Sequence, residues 1–290
     1  MLLLRSLLFV PGNQERRIEK ARSVAADALI LDLEDSVPAS EKEAAREMVA
    51  GAIAGLVSSG REIFVRVNSL TTPHAVPDIQ TIVKKGLTGI LLAKSESATD
   101  IRQADVLIAE AERKAGLEAG SVCLLALVES PLGIINAYQI ATASPRLIGM
   151  TLGAEDYTLE MGVNRTKEGA EIFYPRQVIS VACHAAGVLA IDCVFTGVKD
   201  PEGLIAETTL ARQMGFQGKL VIHPDQVEPV NEAFVPPAEE VAFARRVLAA
   251  YEIAIANGKA AAILDGKMID TPVAEKAKKL LAQAEKIANR

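Results

Sequence analysis

The 290-residue chain has no tryptophan, three cysteines and three histidines, and aromatic residues make up only 4% of it. Each shortage excludes something. Cys123, Cys183 and Cys193 show no metal-finger spacing and no disulfide framework, so buried thiols in a reducing compartment are expected. His74, His184 and His223 are scattered and none is paired with a cysteine, which argues against zinc. An excess of positive charge is also missing. With a net charge of −6, the chain lacks the basic footprint that nucleic acid requires. Residues 1–10 are apolar but too short to span a membrane, and Arg5 interrupts them. They have no basic leader and no small-residue cleavage site, so a cytoplasmic protein without a membrane partner is expected.

Half of the residues are hydrophobic, mostly Ala, Leu, Ile and Val, which suits helices packed on a sheet. Short apolar runs at 7–10, 28–33, 63–67, 89–93, 122–128, 147–152, 188–191 and 219–222 alternate with helix-like segments. Runs of this kind read as parallel strands buried on both faces. Eight of them in about 220 residues predict a TIM-type (β/α)₈ barrel over residues 1–225. A doubly wound sheet competes, but no glycine-rich dinucleotide fingerprint follows the first run. Residues 226–290 then form a C-terminal helical extension, read as a lid, with Gly258, Gly266 and Pro272 marking a hinge. Within the barrel, Ser40 and Glu43 predict a capping box. One helix-like segment runs to about Thr142, and a polar loop covers 161–169.

The runs end in charged residues, and ligands bind just past strand ends in such folds. Glu34 and Asp35, Arg66, Lys94, Glu129, Glu155 and Asp156 are delivered there. Taken singly, Glu129 and Asp156 could be solvated loop acids or helix caps. Five carboxylates at one mouth repel unless a cation neutralises them, and Mg²⁺ held by one or two of them is the natural solution. Beside Arg66, such an ion suits an α-keto or α-hydroxy carboxylate. Lys94 reads equally as a substrate or phosphate contact and as a salt bridge. His223 reads as a structural hydrogen-bonding residue, and His184 as a core or interface histidine.

The stretches RSLLFVPG (5–12), LILDLEDSV (29–37), VRVN (65–68), ESPLGI (129–134), LGAEDYT (152–158), GKLVIHPDQ (218–226) and GKMIDTP (266–272) follow one another in order. Together they resemble the citrate lyase β-subunit-like (CitE-like) family of the HpcH/HpaI aldolase superfamily, which includes malyl-CoA and citramalyl-CoA lyases. The resemblance spans essentially the whole chain. It implies a TIM barrel that makes or breaks a carbon–carbon bond between an acyl-CoA thioester and a 2-oxo acid, with Mg²⁺. Carried over by position, it makes Glu129 and Asp156 the metal ligands, Glu129 also touching substrate. Arg66 would face the substrate carboxylate or nascent enolate, and Glu34 and Asp35 would orient the site. Phe9 and Lys20 would help hold the CoA portion. Asp270, by itself a loop residue or helix cap, resembles a lid aspartate that reaches a neighbouring subunit, which implies a homo-oligomer, a trimer or hexamer. Two alternatives remain at this stage: a citrate lyase β chain acting on citryl carried by acyl carrier protein, and a non-catalytic acyl-CoA-binding barrel. Citrate lyase β chains often read Ile-Asn-Pro where this chain has Ile222-His223-Pro224, which favours the free-standing CoA enzyme.

Overall fold

The apolar runs become strands because they can bury both faces. Ala28–Asp32 and Gly89–Leu92 have no exposed position at all. The computed structural model of the protein describes residues 2–289. In it, β1 (Ser6–Pro11), β2 (Ala28–Asp32), β3 (Glu62–Val67), β4 (Gly89–Leu92), β5 (Cys123–Val128), β6 (Leu147–Leu152), β7 (Leu189–Asp192) and β8 (Gly218–Val221) pair in parallel, each with its chain neighbour. Pairing of β1 with β8, Ser6 opposite Lys219, closes the barrel. The TIM-barrel expectation is met. Closure is tight: a Cβ on Gly218 would collide with the backbone carbonyl of Leu4.

The barrel helices are α1 (Glu15–Ala21), α2 (Lys42–Val57), α3 (Ala75–Ile82), α4 (Ala98–Ala115), α5 (Pro131–Ile135), α6 (Ala137–Ala141), α7 (Ala154–Met161), α8 (Ala170–Ala186) and α9 (Pro201–Gln213), and α10 (Val227–Ala233) follows the last strand. In α4, Ile101, Ala104, Ile108 and Ala111 form one buried stripe at helical spacing. Ser97 and Asp100 close a reciprocal capping box at its start, and Gly116 ends it with φ +67°.

Two local expectations need correction. The Ser40–Glu43 box does not form; a 3₁₀ turn over Ala39–Glu41 precedes α2, which has no side-chain cap. The segment to Thr142 is two short helices, because Asn136 ends α5 and turns its amide to the carbonyl of Glu96. The acids after β6 lie on the first turn of α7.

Two compact units emerge, Leu4–Asn231 and residues 232–289 with 2–3. The second contains α11 (Ala238–Ala256), a hairpin of β9 (Ala262–Leu264) and β10 (Lys267–Ile269), and α12 (Thr271–Ala288). Its core is Ala244, Val247, Ile269 and Ala277. Gly266, read as part of a hinge, sits with Asp265 in the hairpin turn; both have positive φ, as such a turn demands. No described helix is long and apolar enough to cross a membrane.

Candidate active site

Glu129 follows β5 directly. The parallel ladder runs one step past β6, where Gly153 donates its N–H to the Val128 carbonyl, and this sets Gly153 against Glu129. A Cβ on Gly153 would lie 2.6 Å from Glu129 Cγ, so the acid occupies the space a side chain would need. Behind Glu129, Ser130 caps α5 by accepting from the Gly133 N–H. Glu129 is 4% exposed, and its Oε2 is buried without a hydrogen-bond partner. Asp156 reaches it from the first turn of α7. Burial, then the facing Asp156 carboxylate, push the Glu129 pKa up to about 9. Two carboxylates pressed together with an orphaned oxygen form a donor set that a hard cation satisfies. Mg²⁺ therefore fits Glu129 and Asp156.

Arg66, inside β3, faces the end of β2. Its Nε and Nη2 donate to both oxygens of Asp32, at 2.6 and 2.7 Å. Its Nη1 reaches Glu34 at 3.1 Å and Asp35 at 3.2 Å, and its guanidinium lies 5.0 Å from the centre of the Phe9 ring. Burial opposes ionisation of Asp32, but Arg66 and the N–H groups of Glu34 and Ser36 hold its pKa below the usual range. Burial and neighbouring Asp35 lift Glu34 to about 7, against the pull of Arg66 and Lys94. Lys42 fastens this loop, donating to the carbonyls of Leu33 and Glu34 and to Asn68 Oδ1 at 2.7–2.8 Å.

Phe9, Lys20, Asp35, Arg66, Glu129 and Asp156 all line one cavity of about 690 Å³, joined by Asp32 and Arg17. Asp270 belongs to the other unit, where its side chain accepts from the Val273 N–H and caps α12. Glu155 pairs with Arg165 at 3.1 Å instead of joining the acid pair. His223 caps the 3₁₀ turn Pro224–Gln226, as its structural reading holds. The core reading of His184 is wrong: the ring is exposed and bonded to the Gly215 carbonyl at 2.8 Å.

Asp32 and Lys42 escaped the sequence reading. The one signal was an acid inside an otherwise apolar strand, at a position two residues before Glu34 and therefore on the same face. Asp192 ends β7. It is fully buried between Arg176 (2.8 Å) and Lys219 (2.6 Å), and Lys219 also bonds Glu207 at 2.6 Å. Among the described residues, Asp192, Cys193 and Glu207 are the one trio of potential ligands that converge, but Lys219 already neutralises it.

Strand-end acids with an arginine over one cavity, on a closed parallel barrel, place this chain among (β/α)₈ barrels with a polar site at the strand ends. The chain belongs to the HpcH/HpaI aldolase/citrate lyase family, whose model matches residues 5–224, and is a carbon–carbon lyase. It is 40% identical over 282 residues to citrate lyase subunit beta of Leuconostoc mesenteroides subsp. cremoris, a match covering 97% of this chain and 93% of that one. It is 37% identical to a (3S)-malyl-CoA thioesterase of Cereibacter sphaeroides, over 98% of this chain and 95% of that one. Among solved structures, CitE from Mycobacterium tuberculosis in complex with magnesium, acetoacetate and coenzyme A matches with a TM-score of 0.78 and 33% identity, covering 98% of both chains.

Proposed function

We propose that the protein is a Mg²⁺-dependent lyase that cleaves, or forms, a 3-hydroxyacyl-CoA thioester of the malyl-CoA or citramalyl-CoA kind, giving acetyl-CoA and a 2-oxo acid. The observation that carries this reading is the buried Glu129–Asp156 pair with its unpartnered Glu129 Oε2, opening on the cavity that Arg66 also lines. Glu129 and Asp156 would hold Mg²⁺, which supplies Lewis acidity to the carboxylate and adjacent oxygen of the substrate. Glu34, poised near pH 7, takes the hydroxyl proton through a water. The C–C bond then breaks, its electron pair passing into the thioester carbonyl, and Arg66 stabilises the resulting enolate oxygen. Return of that proton from Glu34, through the same water, to the enolate carbon gives acetyl-CoA and restores the Glu34 carboxylate. Phe9 and Lys20 serve the CoA portion; Lys20 sits on α1 at the rim of the same cavity.

The active form is a homo-oligomer, a trimer in the simplest case, in which Asp270 of one subunit completes the site of the next. Exposed apolar residues on neighbouring helices support assembly, among them Ile135, Tyr138, Leu159, Tyr174 and Val181. A second reading, a citrate lyase β subunit acting on citryl carried by acyl carrier protein, is favoured by the 40% identity over nearly the full chain.

The deciding experiment offers malyl-CoA, citramalyl-CoA and citryl-CoA side by side, with and without Mg²⁺, and identifies the products. Release of acetyl-CoA with glyoxylate or pyruvate supports the first reading. Citryl-CoA as the only substrate supports the second. Release of free CoA with an intact hydroxy acid marks hydrolysis instead of C–C cleavage. Glu129→Gln should abolish turnover in either lyase case; normal turnover in that variant would remove Glu129 from the site.

A further inference from the structure

Lys42 opens α2 but does not serve that helix. A cation at a helix N-terminus works against the helix dipole, and α2 has no side-chain cap to offset it. The side chain turns instead to the loop that follows β2. Its ammonium donates to the Leu33 carbonyl at 2.8 Å, the Glu34 carbonyl at 2.7 Å and Asn68 Oδ1 at 2.8 Å. None of these three partners is a carboxylate, so the contact is directional hydrogen bonding in which all three donors are spent. Lys42 is not among the residues that line the cavity.

Two consecutive carbonyls held on one side leave the N–H groups of the same turn free for the other. Those of Glu34 and Ser36 donate to the two oxygens of Asp32, at 2.9 and 3.1 Å, and that of Asp35 to Glu34 Oε2 at 2.9 Å. Asp32 in turn holds the fork of Arg66. The turn is thus clamped twice, by Lys42 on its carbonyls and by Asp32 on its amides. Lys42 is itself fixed through Asn68. Asn68 Nδ2 donates to the Leu33 carbonyl at 2.9 Å and to Asp78 Oδ2 at 2.6 Å, which leaves Oδ1 for Lys42. Asp78, wholly buried on α3, also accepts from the Asn68 N–H at 3.1 Å and from Arg46 of α2 at 2.8 Å.

We propose that Lys42 is a positioning residue of the site: with Asn68 and Asp78 behind it, it sets the backbone of residues 33–35 so that Glu34 and Asp35 stay gathered around Arg66. The inference rests on the lyase reading, which makes Glu34 the base and Arg66 the enolate contact. It adds the device that holds the two in register. Removing the ammonium leaves neither carbonyl orphaned, because Leu33 still accepts from Asn68 and Glu34 from the Val37 N–H at 3.1 Å. The loop then keeps its turn and loses the tie to α2.

The test compares Lys42→Met, Lys42→Ala and Lys42→Arg with the wild type. Met keeps the length of the side chain without its donors, and Ala favours the helix most, so both should melt within a few degrees of the wild type. On the thioester that the wild type cleaves, kcat should fall about tenfold or more in both, the scale of effect of a displaced catalytic group. KM and the calorimetric Kd for Mg²⁺ should stay within about threefold, because Lys42 lines no part of the cavity. Lys42→Arg, which restores donors in a different geometry, should recover part of kcat. Deuterium exchange of the amides of residues 33–36, read by mass spectrometry, should quicken about tenfold in the Met and Ala variants. Unchanged exchange or unchanged kcat in both would overturn the positioning role. So would a loss of kcat matched by equal losses of Mg²⁺ affinity and melting temperature that Arg does not repair. Failure of the lyase reading looks different: the wild type cleaves no thioester, and the exchange of residues 33–36 alone decides whether Lys42 sets the loop.

Discussion

At the residue scale the site depends on what is absent from position 153. Glu129 packs against the bare Cα of Gly153, and a methyl there would stand 2.6 Å from Cγ and 2.9 Å from Cδ. Gly153 has φ −87°, so alanine suits its backbone and the conflict is confined to the acid. Gly153→Ala should therefore weaken Mg²⁺ binding by about tenfold or more, the size of effect seen when a ligand's supporting contacts are lost. Its melting temperature should shift by only a few degrees. Calorimetric titration of Mg²⁺ against thermal unfolding checks this; wild-type affinity would mean that Glu129 does not need its present position. Glu129 itself was legible in the sequence, because an acid ending an apolar run is visible to period and punctuation. Asp32 was not, because it reads as the last residue of a core strand. Only the approach of Arg66 from the next strand reveals its partner.

At the element scale, the hairpin β9–β10 delivers Asp270 as the cap of α12. A cap and a catalytic acid make different demands, and substitution separates them. Asparagine caps as well as aspartate does, whereas alanine costs about 1 kcal/mol. Asp270→Asn should keep wild-type stability and lose activity if the carboxylate works in catalysis; full activity would leave Asp270 as a cap alone. The lid proposal goes further. Asp270→Asn and Glu129→Gln proteins, each inactive, should regain part of the activity when their subunits are exchanged, because some sites then combine an intact barrel with an intact lid. Demonstrated exchange without recovery would refute a lid acting between subunits. The sequence marked this segment by its motif but misread Gly266 as a hinge. A glycine in a two-residue hairpin turn and one in a flexible link look alike until the flanking strands are seen to pair.

At the scale of the whole molecule, buried ion pairs tie the barrel together. Lys219 is completely buried with Asp192 and Glu207, and Arg176 grips Asp192 from α8. Lys219→Met leaves buried carboxylate charge uncompensated and should cost roughly 3–5 kcal/mol, read from urea unfolding. Burial opposes the ionisation of Asp192, Asp32 and Glu112, yet Lys219 and Arg176, Arg66, and Arg146 respectively hold each pKa below its ordinary value. A depressed acid stabilises the fold fully above its unfolded pKa and loses that contribution as pH falls through the folded one. Stability should thus drop as the solution is acidified below about pH 4, where the unfolded chain takes up protons first. A flat profile there would show that these pairs contribute nothing net. What the sequence determined alone was the alternation of strand and helix, the barrel, and the acids at strand ends. Each follows from local periodicity and from residues adjacent in the chain. Tertiary structure alone decided which charges meet. The pairing of Arg66 with Asp32, the confinement of Glu129 by Gly153 and the meeting of Lys42 with Asn68 join residues tens of positions apart. Only closure of the barrel sets those distances.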